Sequence, residues 1–185
     1  MIYLIIFFTS FFSFTTSAEI VPPNYNFTLD QFNIFHPGQL LPKIKEKYGK
    51  GRIVFTQNEM TTYEFFVQHQ RYNFPVFVQT YRKKVIDFYT PLPSYFLHNI
   101  FHQSLINRLG KQDSYKRSEH TAVYNWRNKK GFTYTYSGQC SFTCYPVYYH
   151  IVLQNPPEKF LSILQRLTNN TFMMRPLGQE PKRKN

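Results

Sequence analysis

The chain carries the same order of motifs twice, and this internal repeat constrains its fold more than any other feature. KIKEKYGKG precedes TTYEFF in the first half, and LINRLGKQ precedes AVYNWR in the second. Gly49 matches Gly110 and Phe65 matches Trp126, both at an offset of 61 residues without a gap. Repetition at a fixed spacing is typical of a supersecondary unit that occurs twice. Chance similarity between aromatic-rich segments is the alternative, and the repeated order of motifs argues against it.

Each copy begins with a segment of helical periodicity that ends at a glycine. Leu41, Ile44 and Tyr48 have helical spacing and precede Gly49, a natural helix stop. In the second copy we expect Ser94 to cap a helix that runs to Gly110. Its apolar stripe consists of Leu97, Ile100, Phe101, Leu105 and Leu109.

Three runs rich in β-branched and aromatic residues follow each helix and predict strands. They span 61–68, 74–81 and 85–90 in the first copy, and 122–127, 132–136 and 147–153 in the second. The predicted fold is α+β: two tandem units of a helix and three antiparallel strands, with a C-terminal helix and the helices on one face of the sheet. The predicted boundaries are 37–93, 94–155 and, for the last helix and its exit, 156–174, with a capping-box-like start at Asn155 and Glu158.

The two ends of the chain predict export and a disordered tail. Residues 1–18 contain no charged side chain, and the apolar run to Phe14 is followed by Thr16-Ser17-Ala18, as in a secretory signal peptide and its cleavage site. An uncleaved anchor is the alternative, but the run is shorter than the roughly 20 residues that span a membrane. We therefore expect a secreted or periplasmic mature chain without a transmembrane segment, with an approach segment at 19–36 and a disordered basic tail at 175–185. Asn26 and Asn169 begin glycosylation triplets, which matter only in a eukaryotic secretory pathway.

The mature chain is strongly basic. The whole formal charge of +12 falls after residue 18, and the pI is near 9.7. Such a charge favours an anionic partner, either a protein or an envelope polymer, and export makes nucleic acid the weaker alternative. Solvated turns are the other interpretation of each cluster. The candidate basic contacts are Arg82, Lys83, Lys84, Arg127, Lys129 and Lys130.

The only two cysteines, Cys140 and Cys144, lie in a predicted loop of about ten residues, Ser137 to Pro146, where the first copy has the short turn RKK. An extended strand would separate their Cα atoms by about 13 Å, beyond the roughly 7 Å that a disulfide spans. A folded-back loop in an oxidising compartment lets them pair. A metal site lacks further ligands, and a redox dithiol usually has two intervening residues.

The predicted loop is either a structural staple or a preorganised binding finger. The candidate aromatic contacts are Phe142, Tyr145, Tyr134, Tyr136, Tyr148 and Trp126. Catalysis finds less support, because ten acidic residues are scattered without pairing and no nucleophile elbow or phosphate-binding loop occurs. His98 and His102 share a helix face, and boundary packing is the better interpretation. We expect no cofactor, no metal and a binding protein that engages its partner through the sheet face and the disulfide-stapled loop, with a secreted hydrolase or toxin acting on nucleic acid or glycan as the alternative.

The segment FHPGQLLPKIKEKYGKG, from Phe35 to Gly51, resembles the SmpA/OmlA (BamE) module of bacterial envelope proteins. It has an approach segment, a Pro-Gly start, a short helix, a glycine stop and an aromatic strand. Tandem copies resemble the β-lactamase inhibitor protein architecture, which clamps a partner enzyme with one sheet face. The resemblance covers roughly residues 30 to 165. It implies binding or assembly, although the chain lacks a lipidated cysteine and is more basic and aromatic than the inhibitor.

Overall fold

The computed structural model describes residues 29–69, 72–141, 143–156 and 160–169. The predicted signal peptide, residues 19–28 of the approach segment, Phe142 and the basic tail lie outside these described residues. Among the helices that are described, none is both long and apolar enough to cross a membrane.

The described residues form one eight-stranded antiparallel sheet, a short 3-10 helix at Leu29–Phe35 and three α helices. The helices are α1 (Leu41–Tyr48), α2 (His98–Leu109) and α3 (Ile163–Thr168). The strands are β1 (Arg52–Gln57), β2 (Met60–His69), β3 (Tyr72–Tyr81), β4 (Lys84–Pro91), β5 (Ser114–Ser118), β6 (Thr121–Lys129), β7 (Phe132–Cys140) and β8 (Cys144–Leu153).

The order of the strands corrects the predicted architecture. They lie in the order β1-β2-β3-β4-β8-β7-β6-β5 within a single open sheet, so the α+β class is confirmed but the division into two helix-plus-three-strand units is wrong. Four strands follow α1 and four follow α2. The missed strands, β1 and β5, are the outer strands of the described sheet. β5 is exposed along nearly its whole length, so its sequence lacks the apolar alternation that predicts a strand.

The main core lies between one sheet face and the 3-10 helix, α1 and α2. Phe35, Ile44 and Phe101 are fully buried there, against Phe88 and other strand residues. Burying each such side chain contributes about 1.5–3 kcal/mol. α1 and α2 end at Gly49 and Gly110, as expected, and each glycine has a φ of 80°, a conformation that disfavours other residues. The N-cap of α2 is Leu97, not Ser94, because residues 93–96 form a separate turn.

The opposite sheet face packs against α3, so the helices cover both faces and not one as predicted. Ile163 is buried with Phe77 and Tyr89. α3 begins later than the predicted start at Asn155, because Ser162 and Gln165 form its capping box.

A buried carboxylate attaches α3 to the sheet at the central β4–β8 pair. Asp87, which is 0% exposed, accepts a 2.6 Å hydrogen bond from the Ile163 N–H through Oδ2. Its Oδ1 accepts a 2.8 Å bond from His150 Nε2 on β8. One side chain therefore links both halves of the sheet to the last described helix.

Candidate functional site

The predicted disulfide is confirmed, but it closes a hairpin and not a long loop. Cys140 and Cys144 are cross-strand partners at the ends of β7 and β8, with Cα atoms 4.1 Å apart. Only residues 141–143 connect the strands, because both strands continue through most of the predicted Ser137–Pro146 loop. This connection with its disulfide is called the stapled tip below.

A backbone hydrogen bond and close packing hold the stapled hairpin, β7–β8, against its neighbours. The Cys140 N–H donates a 2.6 Å hydrogen bond to the His120 carbonyl in the β5–β6 turn. Further down the hairpin, a Cβ at Gly138 would lie 2.5 Å from His98 Nδ1, so only glycine lets β7 pass this close to α2. Tyr145 is half-buried beside the tip. The base of the hairpin is thus fixed by α2 and by the β5–β6 turn.

Three of the six predicted aromatic contacts belong to the interior. Trp126 and Tyr136 are 0% exposed and Tyr134 is 8% exposed, all in the main core. The Trp126 Nε1–H donates a 2.7 Å hydrogen bond to the Gly110 carbonyl. Tyr148 is on the α3 face, packed on Tyr89. Trp126 and Tyr136 therefore offer no surface to a macromolecular partner.

His98 and His102 contribute to a polar aromatic stack, which the sequence indicated only as boundary packing. His98 Nδ1 and the Tyr136 hydroxyl are hydrogen-bonded at 2.8 Å, and the His102 ring lies 4.0 Å from the Tyr124 ring centroid. Burial lowers the pKa of His98, and burial with the neighbouring His98 lowers the pKa of His102 to about 4. Both imidazoles are therefore neutral at pH 7.

The predicted basic contacts come together at one end of the sheet. Strand pairing places the β3–β4 turn and the β6–β7 turn there, since Lys84 pairs with Tyr81, Asp87 with Val152, and Phe132 with Leu153. We call this the basic end, defined by Arg82, Lys83, Lys84, Arg127, Lys129 and Lys130. The same pairing puts the stapled tip at the opposite end, so the two sets of predicted contacts do not form one site.

The side chains of the basic end are mostly exposed. Lys83, Lys84 and Lys130 are exposed, and the exposed Arg82 makes a 2.9 Å ion pair with Glu59. Lys129 lies 3.6 Å from Asp113. Positive charge therefore exceeds negative charge at this end.

A second candidate site is a cavity of about 210 Å³ between the 3-10 helix, α2, β7 and β8. His36 Nε2 and the Tyr134 hydroxyl are hydrogen-bonded at 3.0 Å on its wall, although 98 residues separate them in sequence. Arg108 and Asp30 form a 2.8 Å ion pair beside it. The lining residues are Leu29, Phe32, Asn33, His36, Leu105, Arg108, Leu109, Tyr134, Tyr149 and Ile151.

Within the described ranges, no group of three or more His, Cys, Asp or Glu residues could hold a metal ion. In comparisons with known proteins, the chain matches no family model, no curated protein and no solved structure. The candidate function therefore depends on the basic end, the stapled tip and the cavity.

Proposed function

We propose that the chain is an exported, non-enzymatic binding protein whose basic end contacts an anionic macromolecule of the cell envelope or exterior. The observation that carries the proposal is that turns from both halves of the sheet bring exposed Lys and Arg side chains to one end. Exposed cationic groups on rigid hairpin turns suit a polyanion, whose phosphate, sulfate or carboxylate groups accept charge-assisted hydrogen bonds.

The spacing of the two turns favours a polymer over a small anion. Three inter-strand intervals separate them in the sheet, about 14 Å at roughly 4.8 Å per interval. Exposed charges act over roughly 8 Å at physiological ionic strength, so a small anion at one turn gains little from the other. An extended polyanion contacts both turns at once.

Export is part of the proposal, and two observations support it: the N-terminal segment and the disulfide. The uncharged apolar start and Thr16-Ser17-Ala18 are typical of a cleaved signal peptide. The Cys140–Cys144 disulfide is typical of an oxidising compartment. Mass spectrometry of the native protein should find Glu19 at the N-terminus.

We also propose that the chain arose by duplication of a helix and four strands. At the offset of 61 residues, Gly49 and Gly110 share a φ of 80°, and Asn58 and Glu119 have positive φ angles of 54° and 44° in matching turns. The resemblance to the SmpA/OmlA (BamE) module and to the β-lactamase inhibitor protein supports binding in preference to catalysis.

Charge reversal tests the proposed function. Wild-type protein should be retained on dextran sulfate resin and elute as sodium chloride rises. A Lys84→Glu, Lys130→Glu variant should elute at clearly lower salt. The matched control, Lys116→Glu with Arg117→Glu, changes the net charge equally on exposed β5 residues and should elute near wild type.

Two outcomes would contradict this proposal. Equal loss of retention in both variants would mean that net charge alone drives binding. Shortening of dextran sulfate, of a nucleic acid or of an envelope glycan during incubation would favour the alternative, a secreted hydrolase or toxin.

A further inference from the structure

We propose that the cavity between the 3-10 helix, α2, β7 and β8 is a binding site for a small neutral molecule with one hydroxyl group on an apolar ring. This site is separate from the basic end, and the proposal does not depend on polyanion binding. It follows from the hydrogen-bonding capacity, the charge and the size of the cavity.

The wall of the cavity contains His36, and the protonation state of its ring follows from its neighbours. The His36 Nδ1 lies 2.8 Å from the Pro37 carbonyl, which can only accept, so Nδ1 carries the proton. Burial lowers the pKa of His36, so the ring is neutral and its Nε2 is an acceptor. The Tyr134 hydroxyl, 3.0 Å away, therefore donates to Nε2 and keeps its oxygen lone pairs for another donor.

Tyr149 supplies a donor on the same wall. Its side chain is 4% exposed and packs against Phe32, Phe88 and Phe101. Its hydroxyl makes no hydrogen bond to any other part of the chain that the structure describes. Burial raises the pKa of Tyr149, and nearby Tyr134 adds to the effect, so the phenol keeps its proton. Tyr149 lines the cavity, so its hydroxyl can donate a hydrogen bond to an acceptor on a ligand there.

A hydroxyl group on the ligand satisfies both tyrosines, because it accepts from Tyr149 and donates to Tyr134. A carboxylate would accept from Tyr149 but could not donate to Tyr134. The cation nearest the cavity is also neutralised, since Arg108 Nη1 and Nη2 lie 2.8 Å and 3.4 Å from the two carboxylate oxygens of Asp30. The chemistry of the wall therefore selects a neutral hydroxyl and not an anion.

Apart from Asn33, the remaining lining is apolar, and the volume suits a ligand of one ring with small substituents. Leu29, Leu105, Leu109 and Ile151 contribute aliphatic surface. An apolar cavity of about 150 Å³ holds benzene. The present 210 Å³ thus accommodates a substituted six-membered ring. The Asp30 side chain is 58% exposed, which places the solvent side of the cavity beside the ion pair.

Three matched probes test this proposal by NMR titration of the full chain: 4-methylphenol, toluene and 4-methylbenzoate. We expect 4-methylphenol to bind about tenfold more tightly than toluene, because its hydroxyl exchanges hydrogen bonds with water for bonds to both tyrosines, and 4-methylbenzoate to bind more weakly than 4-methylphenol. In Tyr149→Phe, 4-methylphenol should bind more weakly than in wild type while the affinity of toluene is unchanged, because only the hydrogen bond to Tyr134 is left. The exposed Tyr115→Phe should leave both affinities as in wild type.

The wild-type ratio alone decides the proposal if Tyr149→Phe fails to fold. Equal affinities for 4-methylphenol and toluene, or no binding of either at saturation, would overturn it. Tighter binding of 4-methylbenzoate would replace the neutral ligand by an anion and overturn it as well.

Discussion

The β3–β4 and β7–β8 hairpins have the same place in the two halves of the sheet, yet they are closed by different means. Arg82 and Lys83 join β3 to β4 in a two-residue turn with φ angles of 47° and 64°. β7 and β8 are joined by three residues and by the disulfide between Cys140 and Cys144. Because β4 and β8 pair antiparallel, the two connections lie at opposite ends of the sheet.

The difference shows how one position in a fold acquires two uses. A two-residue turn with positive φ angles has a twist that matches its strands, so it needs no further closure and can carry exposed cations. The β7–β8 connection is one residue longer, and a disulfide links the two strand ends that it joins. One end of the molecule is thus specialised for charge and the other for a rigid shape.

The largest expected effect lies at the β4–β8 pair, where the two hairpins meet. Asp87→Ala leaves the Ile163 N–H and His150 without their buried acceptor, so we expect the free energy of unfolding to fall by about 3–5 kcal/mol. Urea denaturation measures the change. Glu59→Ala removes an exposed carboxylate that contacts Arg82 and Tyr81, and it should barely alter stability. Similar losses of unfolding free energy in both variants would mean that the hydrogen bonds of Asp87 at the β4–β8 pair do not contribute unusually to stability.

The next largest effect on stability concerns the β7–β8 hairpin where it packs against α2. Gly138→Ala places a Cβ against the His98 ring, and we expect a loss of about 1–3 kcal/mol from overpacking. A His98→Ala background should reduce that loss, because the ring is no longer there, and thermal denaturation of the four variants measures the coupling. Additive effects would show that the two residues do not touch in solution.

Removal of the staple should have a modest effect on stability. Cys140→Ser with Cys144→Ser should lower the free energy of unfolding by at most about 2 kcal/mol, since the closed loop is short. Retention on dextran sulfate should stay unchanged, because the basic end lies at the other end of the sheet. Two free thiols in denatured, unreduced wild-type protein would contradict the disulfide, and weaker retention of the double variant would link the two ends.

Acid should act mainly on the second half of the sheet. The unfolded imidazoles titrate near pH 6.5, whereas burial lowers the pKa of His102 to about 4. The unfolded state therefore binds more protons between these values, and stability falls as pH drops from about 6.5 towards about 4. His102 aligns with the buried Leu41 at the 61-residue offset. His102→Leu should thus show a smaller decrease in melting temperature than wild type, and exposed His120→Leu should match wild type.

The smallest effect concerns the two-residue turn between β3 and β4. Lys83→Gly relieves a positive φ of 64°, and we expect a gain of about 0.5 kcal/mol after the larger unfolded-state entropy of glycine is included. Gly131→Ala in the β6–β7 turn, at a φ of 83°, is the reverse change and should lower stability by about 1 kcal/mol. Calorimetric melting compares the two, and a loss in Lys83→Gly would contradict the conformational argument.

The features predictable from sequence depend on neighbours along the chain. Gly49 and Gly110 mark helix ends because a positive φ disfavours other residues, and two nearby cysteines in an exported chain predict their own bond. The outer strand β5 escaped prediction because its exposed residues have no apolar alternation. The predicted start of α3 at Asn155 is wrong, because the capping box that begins the helix is formed by Ser162 and Gln165.

The candidate sites depend on contacts that no local pattern contains. Alternation along β7 separates the two faces of the strand but does not say which face the helices cover, so the burial of Tyr134 and Tyr136 cannot be predicted from it. The cavity pairs His36 with Tyr134, and only the folded sheet brings them together. The basic clusters could be found in the sequence, but their meeting at one end follows from the antiparallel β4–β8 pair.

An open sheet also affects aggregation when many copies of the protein bind one polyanion. Molecules concentrated along a polymer meet side by side, and outer strands with free backbone groups would then pair into aggregates. β5 carries exposed Lys116 and Arg117, whose charges repel a second copy. β1 contains an irregularity between Ile53 and Phe55 that interrupts its register. Both outer strands of the described sheet thus have features that keep neighbouring copies separate at high local concentration.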